Sequence, residues 1–272
     1  MFGNPASRLP VVVKNLLIIN GLMLLLKIAM GNDLLGRSIL DTWLGLHAIG
    51  SPDFKPWQIV THMFMHAGPN SGGGWYWHIA SNMFAVFMFG APIERVMGPK
   101  RFLNYYLLCG LGAAALQMGV SYMETQGTVT ALELTGATTD DVRRMVEASH
   151  ISMDNANAVM NEIVDQHPGS GPAVEAMFWD YSGVMIGASG AIFGILIAFG
   201  MLFPNVELFL LFLPIPIKAK YFVALYGLWE LFSGVRQQAG DNVAHYAHLG
   251  GLIFGFFLIR YWRKKGVLGG TY

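Results

Sequence analysis

The sequence predicts an all-α membrane protein, a bundle of six transmembrane helices with a helical extracytoplasmic insertion. Three observations predict it. Of 272 residues, 54% are hydrophobic and only 12% charged, about half the charge of a soluble domain, which leaves too little polar surface to cover a globule in water. Apolar runs recur along the chain, most of them near the roughly 20 residues a bilayer demands. Basic residues cluster at alternate ends of successive runs. Net charge is zero, so nothing points to nucleic acid, and the expected partner is the lipid bilayer.

The first span is read over Val11–Met30, with Lys14 and Lys27 near its ends, where they can snorkel. The preceding residues lack the apolar core and cleavage site of a secretory signal, so this segment is expected to stay in the mature protein. The second span covers His78–Glu94, the third Phe102–Met123 and the fourth Val184–Phe203, stopping before Pro204. Ala219–Phe232 is the fifth and shortest, and Ala244–Trp262 the sixth. Between the fourth and fifth, VELFLLFLPIPIK (206–218) is apolar but broken by Pro214 and Pro216. It reads as an interfacial loop, with a re-entrant segment as the alternative.

Charge orients the bundle. Arg8, then Arg95, Lys100 and Arg101, then Lys218 and Lys220, then Arg263, Lys264 and Lys265 mark one side. The positive-inside rule makes that side cytoplasmic, with both termini inside. Residues 124–180 carry ten carboxylates against Arg143 and Arg144, and fall on the opposite side. Within them TTDDVRRMVEASH, capped by Thr139, and Met153–Asp165 read as a two-helix hairpin ended by HPGSGP. Cys109, the single cysteine, lies in an apolar run and reads as packing.

Polar side chains inside a span are expensive and need an account. His78 and Asn82 are one turn apart on a single face; alone, the pair reads equally as glue between helices. The fourth span opens with GVMIGASGAIFG, in which Gly187 and Gly190 flank Ser189. Small residues at that spacing permit close helix packing, and they also leave the hydroxyl and nearby N–H groups open. The sixth span holds AHYAHLGGLIFG, with His248 followed by Gly251 and Gly255. Together these supply a nucleophile, a base and two hydrogen-bond donors, the set that acyl transfer uses. Glu230 is the only carboxylate well inside a span. The reading is therefore a Ser–His dyad whose histidine is oriented by packing, with Phe193 one turn beyond Ser189 placed to stack on the imidazole.

GASG at 187–190, AHLGG at 247–251 with Gly255, and HIASN at 78–82 resemble the three core motifs of rhomboid proteases, in the same order. PWQIVTHMFMHAG at 56–68 is similar to that family's first extracytoplasmic loop, with Trp57-Gln58 as its aromatic–polar pair. The resemblance implies an intramembrane serine endopeptidase of a bacterial inner membrane. Ser189 would be the nucleophile, His248 the base, and His78, Asn82 and the Ser189 N–H the oxyanion hole. Gly187, Gly190, Gly251 and Gly255 would provide packing. His62 and His66 would hold the loop's fold or water, and His245 would be structural. The implied substrates are transmembrane segments of other proteins, admitted past the fifth helix and the loop 233–242, with no cofactor or metal required. The rival readings are a pseudoprotease that binds membrane clients without cutting them, and a transporter or channel.

Overall fold

The computed structural model describes residues 9–33, 36–210, 213–236 and 244–268. Helix α1, Val11–Met30, has the bounds its hydropathy predicts. Pro10 offers no side-chain cap, and the Glu94 carboxylate takes that place, accepting from the Val12 and Val13 N–H groups at 3.0 and 2.8 Å. A helix N-terminus leaves its first N–H groups without acceptors, and an anion there is doubly favourable. A connecting segment follows, with α2 (Ile39–Leu44), the short strand β1 (Leu46–His47) and α3 (Gln58–Thr61).

The second apolar stretch is one continuous rod in three parts: α4 (Trp75–Ala85), a π-helical turn over Val86–Gly90, and α5 (Ala91–Met97). Helix α6 runs over Pro99–Thr135, 37 residues, twelve beyond the expected end at Met123. It continues because residues 124–135 contain no proline, and it stops where Gly136 takes a left-handed conformation. Then come α7 (Thr139–Ser149), α8 (Met153–Gln166) and α9 (Gly171–Ser182). The expected pair of helices is thus a set of three. HPGSGP does not close the set, because Pro172 sits in the first turn of α9, where its missing N–H costs nothing. The cap of α7 is Thr138 rather than Thr139: its Oγ1 accepts from the Asp141 N–H, and the Asp141 carboxylate accepts in return from the Thr138 N–H.

The fourth apolar run also begins later than expected. Val184–Met185 forms strand β2, paired antiparallel with β1, and α10 covers only Ser189–Leu202. Gly187, at φ +133°, breaks the chain between the two. Where an interfacial loop or a re-entrant segment is expected, the described residues form two antiparallel strands, β3 (Glu207–Leu210) and β4 (Leu213–Lys218). A two-stranded hairpin has only edges, and edges tolerate Pro214 and Pro216. Helices α11 (Ala219–Arg236) and α12 (His245–Lys264) complete the fold. From 237 to 242 the expected gate loop lies outside the described residues, as does Arg8.

Two cores result. The larger joins α1, α5, α6, α10 and α12 around Phe102, Tyr105, Tyr106, Cys109 and Ile195, all fully buried. Cys109 is a free thiol within it. The smaller joins the end of α6 to α7, α8 and α9 through Leu132, Val142, Val146, Ile163, Val174 and Met177. Large apolar residues remain exposed around the larger unit, among them Leu22 and Leu25 on α1, Leu225, Leu228 and Trp229 on α11, and Phe257 on α12. Such faces suit a hydrocarbon solvent and not water. Among the described residues, α1 and α6 are long and apolar enough to cross a bilayer.

Candidate active site

Close helix packing builds the site. A side chain on Gly251 would collide with the carbonyl oxygen of Gly190, and one on Gly255 would meet Tyr105 and Ile197, so α12 lies directly against α10. A side chain on Gly190 would strike Ala113 of α6. Tyr105 of α6 donates to the Gly194 carbonyl at 2.7 Å, fixing α10 from its other side.

This approach places Ser189, the first residue of α10, within 2.9 Å of His248: Oγ faces Nε2. The Phe193 ring, one turn along α10, stacks on the imidazole with centroids 4.2 Å apart and planes 15° from parallel. The other imidazole nitrogen is also engaged. His248 Nδ1 lies 2.8 Å from Glu230 Oε2 on α11. This overturns the expectation that packing alone orients the histidine. Glu230 is buried, and a buried carboxylate requires partners. It has two, because His245 Nδ1 sits 2.6 Å from the same oxygen. His245, expected to be merely structural, is therefore part of the polar cluster. The cost of a carboxylate inside a span was the signal available in the sequence, and the two histidines of α12 were its nearest candidate partners.

His78 on α4 approaches from the opposite side. Its Nδ1 accepts from the Ala67 N–H at 3.0 Å, which leaves the ring proton on Nε2. That nitrogen lies only 3.1 Å from where a side chain on Gly187 would begin, so glycine is required there for space as well as for its positive φ. Asn82 is buried, and its amide donates back to the His78 carbonyl at 2.6 Å, while its Oδ1 has no protein partner. One of its two N–H bonds is thus spent within α4. The Ser189 N–H lies in the first turn of α10, where no intrahelical acceptor exists.

The loop residues serve as scaffold. Gln58, fully buried, accepts from the His47 and Lys55 N–H groups and donates to the Asp53 carbonyl, tying residues 42–58 together. Trp57 is exposed, its indole donating to the Trp43 carbonyl. His62 Nδ1 lies 2.8 Å from the Gln58 carbonyl oxygen, and the His62 carbonyl accepts from Gly187, anchoring the serine loop. His66 Nε2 pairs with Asn20 Oδ1 at 2.8 Å, and Lys27 bridges Asp41 and the His66 carbonyl. A cavity of about 1500 Å³ opens over Ser189, His248, Glu230, His78 and Asn82; Val129, Thr139, Trp179 and Asp180 form part of its wall.

A comparison with protein-family models matches the Rhomboid domain over residues 53–139 and 169–265. The chain belongs to the rhomboid family. No curated protein matches it. Rhomboids are integral membrane proteins and are generally serine proteases. In this rhomboid the match skips residues 140–168, which hold most of α7 and all of α8. Every residue of the Ser189–His248–Glu230 cluster, with His78 and Asn82, lies inside the matched segments.

Proposed function

We propose that this rhomboid is an intramembrane serine endopeptidase that cleaves transmembrane segments of other membrane proteins. The observation that carries the reading is the line Ser189 Oγ to His248 Nε2 at 2.9 Å and His248 Nδ1 to Glu230 Oε2 at 2.8 Å, opening on a cavity that His78 also faces. Nucleophile, base and orienting acid stand in hydrogen-bond order, which identifies such sites by geometry rather than by sequence position.

Ser189 Oγ attacks the scissile carbonyl carbon while Nε2 takes its proton. Glu230 holds the remaining ring proton on Nδ1 and faces the imidazolium that forms. The developing oxyanion accepts from His78 Nε2–H, the Ser189 N–H and the uncommitted N–H of Asn82. The imidazolium then gives its proton to the leaving amine, and a cavity water attacks the acyl-serine by the same route. A substrate helix hides its carbonyls in i→i−4 bonds, so segments bearing small or helix-breaking residues near the cavity are preferred.

The membrane arrangement belongs to the same proposal. Six spans cross the bilayer: α1, the α4–α5 rod, α6, α10, α11 and α12. Both termini are cytoplasmic, and residues 124–180 are extracytoplasmic. Helix α10, 14 residues long, covers about 21 Å at 1.5 Å per residue. It falls short of the roughly 30 Å hydrocarbon core, which sets Ser189 below the outer surface with the cavity above it. The test compares wild type with Ser189→Ala and His248→Ala in cleavage of a model single-span substrate. Loss of cleavage in both variants, with the folded state retained, supports the protease reading. Substrate capture by the wild type without cleavage makes the protein a client-binding pseudoprotease instead.

A further inference from the structure

We propose that Glu230, His245 and His248 form a binding site for a divalent transition-metal ion of the zinc class, whose occupancy switches off the serine. The second half of this proposal rests on the protease reading; the first does not.

Two imidazoles and one carboxylate are a donor set that zinc takes in sites that keep a fourth position open. The two histidines are three residues apart on α12 and project toward α11, where Glu230 meets both. One donor atom from each residue lies within 4.8 Å of the others. Both Nδ1 atoms already converge on a single carboxylate oxygen, at 2.6 and 2.8 Å. Zinc bonds of about 2.0–2.2 Å in tetrahedral geometry separate the ligand atoms by about 3.3 Å. Each of the two nitrogen–oxygen distances therefore needs to open by well under about 1 Å to admit an ion. The three side chains are 5–12% exposed, yet all three line the cavity, so an ion can arrive from water and keep water as its fourth ligand.

Occupancy has a defined chemical result. A metal on His248 Nδ1 displaces the proton there, and in the neutral ring that proton moves to Nε2. Nε2–H can then only donate to Ser189 Oγ across the same 2.9 Å contact, so the lone pair that would accept the serine proton is lost. The hydroxyl becomes an outer-sphere partner of the ligand, as metal-bound histidines commonly have. Beyond the metal–ligand bonds to His245, His248 and Glu230, the change on each neutral ring is the shift of one proton from Nδ1 to Nε2, and removing the ion restores the base.

The test uses the full chain, stripped with a chelator. Co²⁺ added to Ser189→Ala protein should bind saturably at one ion per chain, with the visible absorption of a four-coordinate site, and Zn²⁺ should displace it. His245→Ala, His245→Asn and Glu230→Gln should each lose that band. On wild type, Zn²⁺ should slow fluorophosphonate labelling of Ser189 at least tenfold and chelator should restore it, while the labelling rate of His245→Ala, whatever its metal-free value, should be the same with and without Zn²⁺. Absence of saturable Co²⁺ binding, or binding in His245→Ala and His245→Asn as tight as in Ser189→Ala, overturns the site. Saturable binding with unchanged labelling overturns the switch. If the protein neither labels nor cleaves under any condition, the protease reading fails, while the Co²⁺ titration still decides the metal site.

Discussion

Replacing Glu230 by glutamine keeps the length and shape of the side chain and removes its charge. In wild type the ionised carboxylate accepts from Nδ1 of both His245 and His248 through one oxygen. The bond to His248 strengthens as the ring becomes imidazolium in the transition state, and a hydrogen bond to a charged group contributes about 1.5–3 kcal/mol. The amide can also turn its NH₂ toward Nδ1, which selects the tautomer protonated on Nε2 and leaves no base. Set against these losses, the stacked Phe193 ring still holds the imidazole plane in place. We therefore expect a loss of about 2–3 kcal/mol, roughly 30- to 150-fold in kcat, with little change in KM. That is smaller than the ~10⁴ lost when the acid of a soluble serine-protease triad is made an amide. The assay is steady-state cleavage of a single-span substrate in detergent, paired with the rate of fluorophosphonate labelling. A kcat within threefold of wild type, with His248→Ala inactive, would refute the orienting role and return the site to a dyad held by packing.

Gly251→Ala should lower the thermal midpoint in detergent and slow labelling of Ser189, because its methyl enters the Gly190 backbone; overpacking costs about 1–3 kcal/mol, and a midpoint equal to wild type would mean that α10 and α12 separate freely. His66, in the connecting segment between α3 and α4, is pushed down to about 3 by burial first and then by His78 and Lys27, and its Nδ1 has no partner for a second proton. The unfolded chain therefore takes up a proton below about pH 6.5 that the folded chain refuses. Stability should fall by about 2 kcal/mol between pH 7 and pH 5 and keep falling toward pH 3; denaturant titrations should show a smaller drop in His66→Gln. Replacing 139–168 with a Gly/Ser linker should leave Ser189 labelling by a small probe while exposing Val174, Met177 and Phe178 of α9, which now cover the smaller core. Dye binding to exposed apolar surface should accordingly rise, and a loss of labelling in folded protein would make that core part of the catalytic scaffold.

What the sequence disclosed was whatever depends on near neighbours. The apolar run of α1 carries its own boundaries, because hydropathy alone decides them. GASG and AHLGG advertise close packing because a missing side chain is visible in the letters, and the contact of Gly251 with the Gly190 carbonyl is its physical counterpart. What stayed hidden depends on partners far along the chain. Val184–Met185 is as apolar as the helix that follows, but pairing with Leu46–His47 makes it a strand. The polar run after Met123 resembles the end of a span, yet it is the stalk on which α7, α8 and α9 build a second core.

Glu230 lies between these cases. Its partner on α12 is 18 residues away, across a segment that no local pattern bridges, so the contact itself was not legible. The need for a contact was. A carboxylate well inside an apolar helix must be paired, neutralised or wet, and the following helix offers it two histidines near that depth, His245 and His248. Applied as a constraint and not as a curiosity, that cost turns a two-residue dyad into a three-residue line. It also explains why one oxygen serves two imidazoles: with both histidines on one face of α12, a single buried acid meets both.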